Sequence, residues 1–315
     1  MRYQQTIAAP ITCTGVGLHS GQPVTMTLFP APANTGVVFL RKTGGSAIPL
    51  GATIGNLVAT ELCTAISSAG TQIKTIEHVL AALCGLGVDN VYIEIDAGEV
   101  PVMDGSAGPF VRLIRAAGIV SQNRAQRFLK ITQPIEIMDR GRRVVIEPSP
   151  TPRVTYTIAY DHPLIGTQSY EYECSAASFE QEIADARTFG FLKEVEALWS
   201  RGLGKGGSLE NTVVLSDSDV MNQSGLRFQD EFVRHKVLDL VGDLSLLGMP
   251  FIGHVRAERS GHALHTSLVN QILRRPDCWV LLSLEDQPTA AERPLVQHST
   301  VYHSSAALTA PVASV

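Results

Sequence analysis

Two segments share an order of elements that restricts the fold more than any other feature of the sequence. EHVLAALCGLGV, starting at Glu77, and RHKVLDLVGDLSLLGM, starting at Arg234, each place a histidine near the start of a helical pattern that ends in glycine. A strand pattern and then another helical pattern follow each segment. We interpret this weak repeat as a duplicated α+β unit, a mostly antiparallel sheet with helices on one face. Two such units would bury their helices against each other.

Alternation and capping residues predict individual elements. In the first half, PVTMTLFP, GVVFLRK and NVYIEID are predicted strands, and residues 74–87 and 106–118 are predicted helices. Thr75 and Ser106 are the candidate N-caps of these helices. In the second half, residues 226–248 and 262–275 are predicted helices among several strands.

The domain boundary is predicted within VSQNRAQR, between the helical pattern that ends at Gly118 and the strand pattern that begins FLKITQ. This divides the chain into a first domain over residues 1–123 and a second over residues 124–300. Residues 301–315 show no period and are expected to form a loose tail. The two histidine-bearing helices would then meet at the domain interface, where binding sites are common.

Composition excludes several classes of protein. A hydrophobic content of 44% with 17% charged residues is typical of a soluble globular protein. The net charge of −5 provides no general attraction to nucleic acid or to anionic membranes, so any phosphate site must be local. Neither a signal peptide nor a transmembrane segment is recognised. The 5 cysteines form no CxxC pair, so free thiols in a reducing cytoplasm are expected, and a monomer is the simplest state.

A helix with carboxylates one turn apart indicates a metal site. His235, Asp239 and Asp243 follow at intervals of four, so they share one helix face. His235 and Asp239 suit two metal ligands, and Asp243 is placed to orient a neighbouring side chain. Alone, this spacing is more often a surface ion-pair stripe. The Glu77-His78 pair on the matching helix favours metal, since three protein ligands with an open position are typical of catalytic zinc.

The same pairs leave other interpretations open. Glu77 could remove a proton from an activated water, as the glutamate of HExxH does, although that motif is absent; it could also cap its helix. In RSGHALH, His262 begins a helix, where the dipole disfavours the protonated ring unless a carboxylate is near. Asp243 is the candidate partner, and a protonated His262 could donate to a leaving amine or merely cap the helix. His265 is assigned to an exposed or packed position.

Six motifs together resemble one family: TGVGLHSG, TIEH, MDGSAGPF, ARTFGF, GLRFQDEFVRHKVLDLVGD and SGHALH. The chain is similar, from about Gln5 to Leu284, to UDP-3-O-acyl-N-acetylglucosamine deacetylase, which commits a sugar nucleotide to lipid A biosynthesis in Gram-negative bacteria. The resemblance implies an α+β fold of two similar domains, each a mostly antiparallel sheet with paired helices. The helices are sandwiched between the two sheets. It also implies inserts near residues 42–62 and 192–212, the first helping to form a tunnel for an acyl chain.

The resemblance further implies zinc-dependent hydrolysis of the N-acetyl group. The ligands of the zinc ion would be His78, His235 and Asp239, a set that also accepts iron(II). Glu77 would act as general base and His262 as general acid. Zinc lowers the pKa of bound water to around 7, which makes amide hydrolysis possible at neutral pH.

Four further residues follow from the same resemblance. Thr188 would stabilise the developing oxyanion. Phe189 and Lys236 would bind the substrate, a sugar nucleotide with a fatty acyl chain, and Asp243 would support the site.

Two other functions stay open. Another metal-dependent amidase would need no diphosphate or acyl pocket, and a non-catalytic sugar-nucleotide or lipid-binding protein would hold a structural ion, usually closed by four ligands.

Overall fold

The computed structural model describes residues 1–43 and 46–284. Among these residues, the first half of the chain contains two α-helices, α1 (Glu77–Leu86) and α2 (Gly108–Ala117). Its strands are β1 (Tyr3–Ile7), β2 (Ile11–Val16), β3 (Pro23–Pro30), β4 (Val37–Thr43), β5 (Ser46–Gly51), β6 (Leu57–Ala59), β7 (Ala65–Ser68), β8 (Thr71–Ile73), β9 (Val91–Ile95) and β10 (Ile119–Ala125).

The second half contains four α-helices, α3 (Ala176–Ser178), α4 (Leu192–Ser200), α5 (Glu231–Leu244) and α6 (His262–Arg274), within the described residues. Its strands are β11 (Phe128–Ile131), β12 (Ile135–Asp139), β13 (Arg142–Glu147), β14 (Arg153–Ala159), β15 (Thr167–Glu173), β16 (Phe189–Phe191), β17 (Val213–Leu215), β18 (Phe251–Ile252), β19 (His254–Glu258) and β20 (Trp279–Leu282).

Two five-stranded sheets share one topology. Their strand orders are β2-β3-β9-β4-β5 and β12-β13-β19-β14-β15. In each sheet the central strand is antiparallel to one neighbour and parallel to the other, and the outer pairs are antiparallel. One helix precedes each central strand in sequence and another follows it. This confirms the predicted α+β class and its duplicated unit.

The helices pack together between the sheets. Helix α1 contacts α2 and α5, α2 packs on β2, and α5 and α6 pack on the strands of the second sheet. Strand β3 shows why this side is buried, because Val24, Met26 and Leu28 alternate with exposed or half-buried residues and face the core. The apolar faces of sheets and helices join in one continuous core.

The crossing of α1 and α5 depends on a glycine. A Cβ atom added to Gly242 would lie 2.1 Å from the backbone oxygen of Glu77. Only a residue without a side chain allows the backbones to approach this closely. Since His78 and His235 lie on these two helices, their meeting follows from this contact.

The start of α1 differs from the prediction. Its N-cap is Ile76, not Thr75. Thr75 has a φ of 57°, and its hydroxyl donates to Glu99 at 2.8 Å instead of capping the helix. Its hydroxyl is therefore committed to a carboxylate from a distant loop. The helix stops as predicted at Gly87, which adopts the left-handed conformation.

Two other helix starts also differ. Helix α2 begins after Ser106, and the Ser106 hydroxyl still accepts from the N–H of Gly108 at 3.2 Å. Helix α5 begins at Glu231, five residues later than predicted from residue 226. The Glu231 carboxylate accepts from the backbone N–H groups of Arg227 and Arg187, at 2.7 and 3.0 Å. These bonds hold the chain before α5 in turns and fix the segment around Arg187, which precedes β16, against α5.

The first predicted insert includes the edge strand of the first five-stranded sheet, and the second follows β16. Residues 42–62 include β5 and β6, and β6 continues into a three-stranded sheet with β7 and β8. Residues 192–212 include α4, between the parallel strands β16 and β17. All 5 cysteines are free, as predicted. None of the helices in the described part of the chain has the length and apolarity of a membrane span.

The described residues form one compact unit, and β10 within the predicted boundary pairs with β1. We keep the division between residues 123 and 124 as a proposal, because it separates the two five-stranded sheets. The end of the second domain at residue 300 and the tail over residues 301–315 lie outside the described residues.

Candidate metal centre

Three buried side chains meet where α1 crosses α5. His78 lies in the first turn of α1, and His235 and Asp239 project one turn apart from α5. The Oδ1 atom of Asp239 is 3.6 Å from Nε2 of His78 and 3.4 Å from Nε2 of His235. Tetrahedral zinc with bonds near 2.0–2.1 Å separates its ligand atoms by roughly 3.4 Å. The donor types and their spacing therefore fit such an ion.

The hydrogen bonds of His235 and Asp239 leave one metal-ligating atom of each side chain available to a metal. The Nδ1–H group of His235 donates to the carbonyl of Ala186 at 3.0 Å, which leaves the Nε2 lone pair facing the cluster. The other oxygen of Asp239 accepts from Lys236 Nζ at 2.7 Å. Both bonds orient the ligands before any ion binds.

Protonation states also suit a metal site. Burial lowers the pKa of His235 to about 4, although Asp239 opposes the shift, so the ring is neutral at pH 7. Burial alone would raise the pKa of Asp239, but His235 and Lys236 outweigh it and hold that pKa well below its ordinary value. A neutral imidazole and an ionised carboxylate are the forms that bind metal.

Glu77 places a carboxylate next to the cluster. It is buried, and its Oε2 atom accepts from the backbone N–H of Thr64 at 3.0 Å. Burial raises the pKa of the Glu77 carboxyl, and the charges of His262 and His78 oppose that shift. A buried carboxylate with a raised pKa is suited to accept a proton during a reaction.

His262 supplies a protonated imidazole. Its Nδ1 atom lies 2.7 Å from Oδ2 of Asp243. Burial alone would lower the pKa of His262, but the Asp243 carboxylate outweighs burial and raises it to about 9. Since Nδ1–H is committed to Asp243, the Nε2–H group is left to donate to another molecule.

His265, to which the sequence assigns no role, is part of the same network. It is fully buried, and its Nδ1 atom lies 2.8 Å from the Asp243 oxygen that His262 contacts. Its Nε2 atom is 3.1 Å from the Tyr156 hydroxyl and 3.0 Å from the Ser260 hydroxyl. The spacing of three between the two histidines in HALH, which puts them on one helix face, was the available signal.

Phe189 and Lys236 lie beside the histidine cluster. The ring of Phe189 is 6.5 Å from the ring of His235 and 5.0 Å from that of Phe232. The Lys236 ammonium group lies 5.6 Å from the Phe189 ring centroid. An aromatic face and a cation therefore lie next to the candidate ligands.

Thr188 lies on the segment that follows Ala186 and precedes Phe189. Its backbone N–H donates to Gly105 and its carbonyl accepts from Val213, both at 2.8 Å. No hydrogen bond among the described residues joins its side chain to the cluster. The backbone is thus fixed between Gly105 and β17, and the residue is half-buried.

A polar cavity of about 340 Å³ includes Ser260, two residues before His262. Three arginines line it, together with Tyr160 and the backbone around it: Arg140, Arg142 and Arg259. Guanidinium groups suit phosphate oxygens, since they can donate two parallel hydrogen bonds. The arginines come from the β12–β13 turn and the end of β19, so only the fold reveals them as a group.

Comparison with known proteins identifies relatives of this chain. A family model described as UDP-3-O-acyl N-acetylglycosamine deacetylase matches residues 4–274. The protein named UDP-3-O-acyl-N-acetylglucosamine deacetylase from Geobacter sp. (strain M21) is 47% identical over 287 residues, which is 91% of this chain and 94% of the relative. Its namesake from Hahella chejuensis is 44% identical over 294 residues, 93% of this chain and 96% of the relative.

Proposed function

Because this chain belongs to the UDP-3-O-acyl-N-acetylglucosamine deacetylase family, we propose that it hydrolyses the N-acetyl group of UDP-3-O-acyl-N-acetylglucosamine. The products are acetate and the free amine, and the reaction is the committed step of lipid A biosynthesis. The observation that carries the proposal is the buried cluster of His78, His235 and Asp239, with the Glu77 carboxylate and the His262 imidazole nearby.

Zinc is the proposed metal, held by the two histidines and Asp239. Iron(II) is the alternative, because both ions accept imidazole and carboxylate ligands. When bound, the ion would supply Lewis-acid chemistry toward the acetyl carbonyl and would activate the attacking water. Lys236, bonded to the other Asp239 oxygen, keeps the carboxylate oriented.

The protein side chains carry the proton transfers. Glu77 takes a proton from the attacking water as the C–O bond forms. Thr188 donates to the oxygen of the acetyl carbonyl as negative charge develops on it. His262 then gives its Nε2 proton to the nitrogen as the C–N bond breaks, because an amine is a poor leaving group unless it is protonated. Asp243 keeps the imidazole in the orientation and charge state that this step needs.

The substrate's diphosphate is proposed to bind at the arginine cavity and near Lys236. The chain has a net charge of −5, and the arginine cavity supplies the local positive charge that a diphosphate requires. The fatty acyl chain is proposed to lie along the two inserts, whose exposed apolar side chains include Val58, Leu62, Leu192 and Trp199. Arg201 of one insert donates to Glu61 of the other. We further propose a cytoplasmic monomer whose thiols stay reduced.

Acetate release from UDP-3-O-acyl-N-acetylglucosamine tests the function. The purified protein should release acetate, stop when a chelator removes the metal and recover with zinc or iron(II). UDP-N-acetylglucosamine without the acyl chain should be the poorer substrate. A folded, metal-loaded sample that releases no acetate from the acylated sugar nucleotide, but does so from an N-acetyl peptide, would instead support a different amidase.

A further inference from the structure

Thr64 connects the two helices of the site, since its backbone bonds to the start of α1 and its side chain bonds to α5. It is fully buried, just before β7. Its N–H donates to the Glu77 carboxylate at 3.0 Å, and its carbonyl accepts from the N–H of Ile76 at 3.3 Å. The whole peptide group of Thr64 is therefore fixed against the start of α1, on both of its hydrogen-bonding sides.

The side chain of Thr64 reaches the other helix. Its hydroxyl donates to Oδ1 of Asp243 at 2.5 Å and lies 3.3 Å from Nδ1 of His262. The second oxygen of Asp243 faces His262 and His265. Each oxygen of this buried carboxylate thus has its own donors, and Thr64 is the donor to Oδ1 among the described residues.

Thr64 therefore contacts both proton-transfer groups of the site. It touches Glu77 directly and reaches His262 through Asp243. Without its hydroxyl, Oδ1 of a buried carboxylate would lack a partner, which is costly. The carboxylate would then turn toward the remaining donors and change the direction in which His262 presents Nε2.

We propose that Thr64 is a positioning residue, whose backbone orients Glu77 and whose hydroxyl orients the Asp243–His262 pair for the deacetylation. The inference rests on the proposed function and adds to it a residue that acts through Glu77 and the Asp243–His262 pair and is neither a proposed metal ligand nor a proposed acid or base. A misplacement of about 1 Å at a reacting group can cost on the order of 100-fold in rate. Thr64 acts on the chemical step, not on metal binding or substrate affinity.

Variants of Thr64 with and without a hydroxyl test whether that hydroxyl affects the chemical step and not metal binding or substrate affinity. Thr64→Val keeps the shape and the backbone N–H, and Thr64→Ala removes the hydroxyl without added volume; both should lower kcat by roughly 10- to 100-fold. KM and the zinc content per chain should stay at wild-type values. Thr64→Ser, which keeps the donor, should retain most of kcat. Equal kcat in the valine, alanine and serine variants would overturn the proposal.

A double-mutant cycle shows whether Thr64 acts through Asp243. In an Asp243→Asn background, Thr64→Val should add little further loss of kcat, because the two residues act as one unit. A loss that multiplies fully with that of Asp243→Asn would refute the hydroxyl's role. A purely structural defect would lower the melting temperature without this non-additivity.

A readout without turnover keeps the two proposals distinct. The Nδ1–H resonance of His262, followed by proton NMR in the metal-free protein, should shift in Thr64→Val and stay in place in Thr64→Ser. Wild-type protein that releases no acetate would refute the proposed function. The resonance of His262 would then still test whether Thr64 positions that side chain. An unshifted resonance in Thr64→Val would refute the positioning role even if deacetylation is confirmed.

Discussion

The backbone of Gly242 lies against the carbonyl of Glu77, and a Cβ on the glycine would fall 2.1 Å from that oxygen. This approach brings the rings of His78 and His235 edge to face, with centroids 5.0 Å apart. A contact between one helix backbone and another thus sets the separation of two candidate metal ligands that are distant in sequence.

Gly242→Ala is expected to weaken metal binding. The new methyl group must push α1 away from α5, and overpacking of this kind destabilises a core by about 1–3 kcal/mol. Zinc affinity, measured by chelator competition, and the melting temperature should both fall. Gly55→Ala is the control, because its Cβ would meet only Thr53 Oγ1 at 3.9 Å. Wild-type zinc affinity in Gly242→Ala would contradict this account.

His235→Ala should abolish stable zinc binding. It removes a ligand from a set of three, and affinity depends on ligand number and geometry. Metal analysis after dialysis would show little zinc in this variant. His254→Ala provides the matched control, since His254 contacts Thr155 in the second sheet, outside the cluster. If His235→Ala keeps its zinc, the ligand set is wrong.

Glu77→Gln should separate catalysis from metal content. The amide oxygen can still accept from Thr64, but the side chain cannot take a proton, and general base catalysis typically contributes about 10²- to 10⁴-fold. Acetate release should fall by that factor while zinc stays bound. Near-normal turnover would exclude Glu77 as the base, and loss of zinc from the variant would also count against the assignment.

The His262–Asp243 pair should make stability fall with rising pH in the metal-free protein. The folded pKa of His262 is raised from 6.5 to about 9, so the pair stabilises the fold fully below pH 6.5. That contribution, on the order of 3 kcal/mol, is lost as pH rises through 9. Urea unfolding at pH 6 and pH 9.5 measures it. His262→Gln should show a smaller fall than wild type, and parallel falls would contradict the pairing.

Arg259→Ala should raise KM far more than it lowers kcat. A hydrogen bond to a charged group is worth about 1.5–3 kcal/mol, which corresponds to a KM rise of roughly 10- to 100-fold. Inhibition by free UDP should weaken in parallel. Arg256→Ala is the control, because Arg256 pairs with Glu147 on the second sheet. An unchanged KM in Arg259→Ala would remove the arginine cavity from the diphosphate site.

Several features could be predicted from sequence because they depend on local spacing. The interval of four puts His235 and Asp239 on one helix face whatever surrounds the helix. Alternation in β3 fixes its buried side, and Gly87 ends α1 because it adopts a left-handed conformation at little cost. The order of elements around the two histidine helices revealed the duplicated fold.

Tertiary structure alone decided how these local patterns meet. Thr64 and Asp243 are 179 positions apart, and no periodicity relates them. Thr75 is of a residue type that favours helix N-caps, yet its hydroxyl donates to Glu99, which a distant part of the chain brings close. Local sequence determines which side chains share a face, because the helix and strand repeats are fixed by the backbone. Which faces come together depends on packing over the whole core, where one glycine sets the distance between two helices.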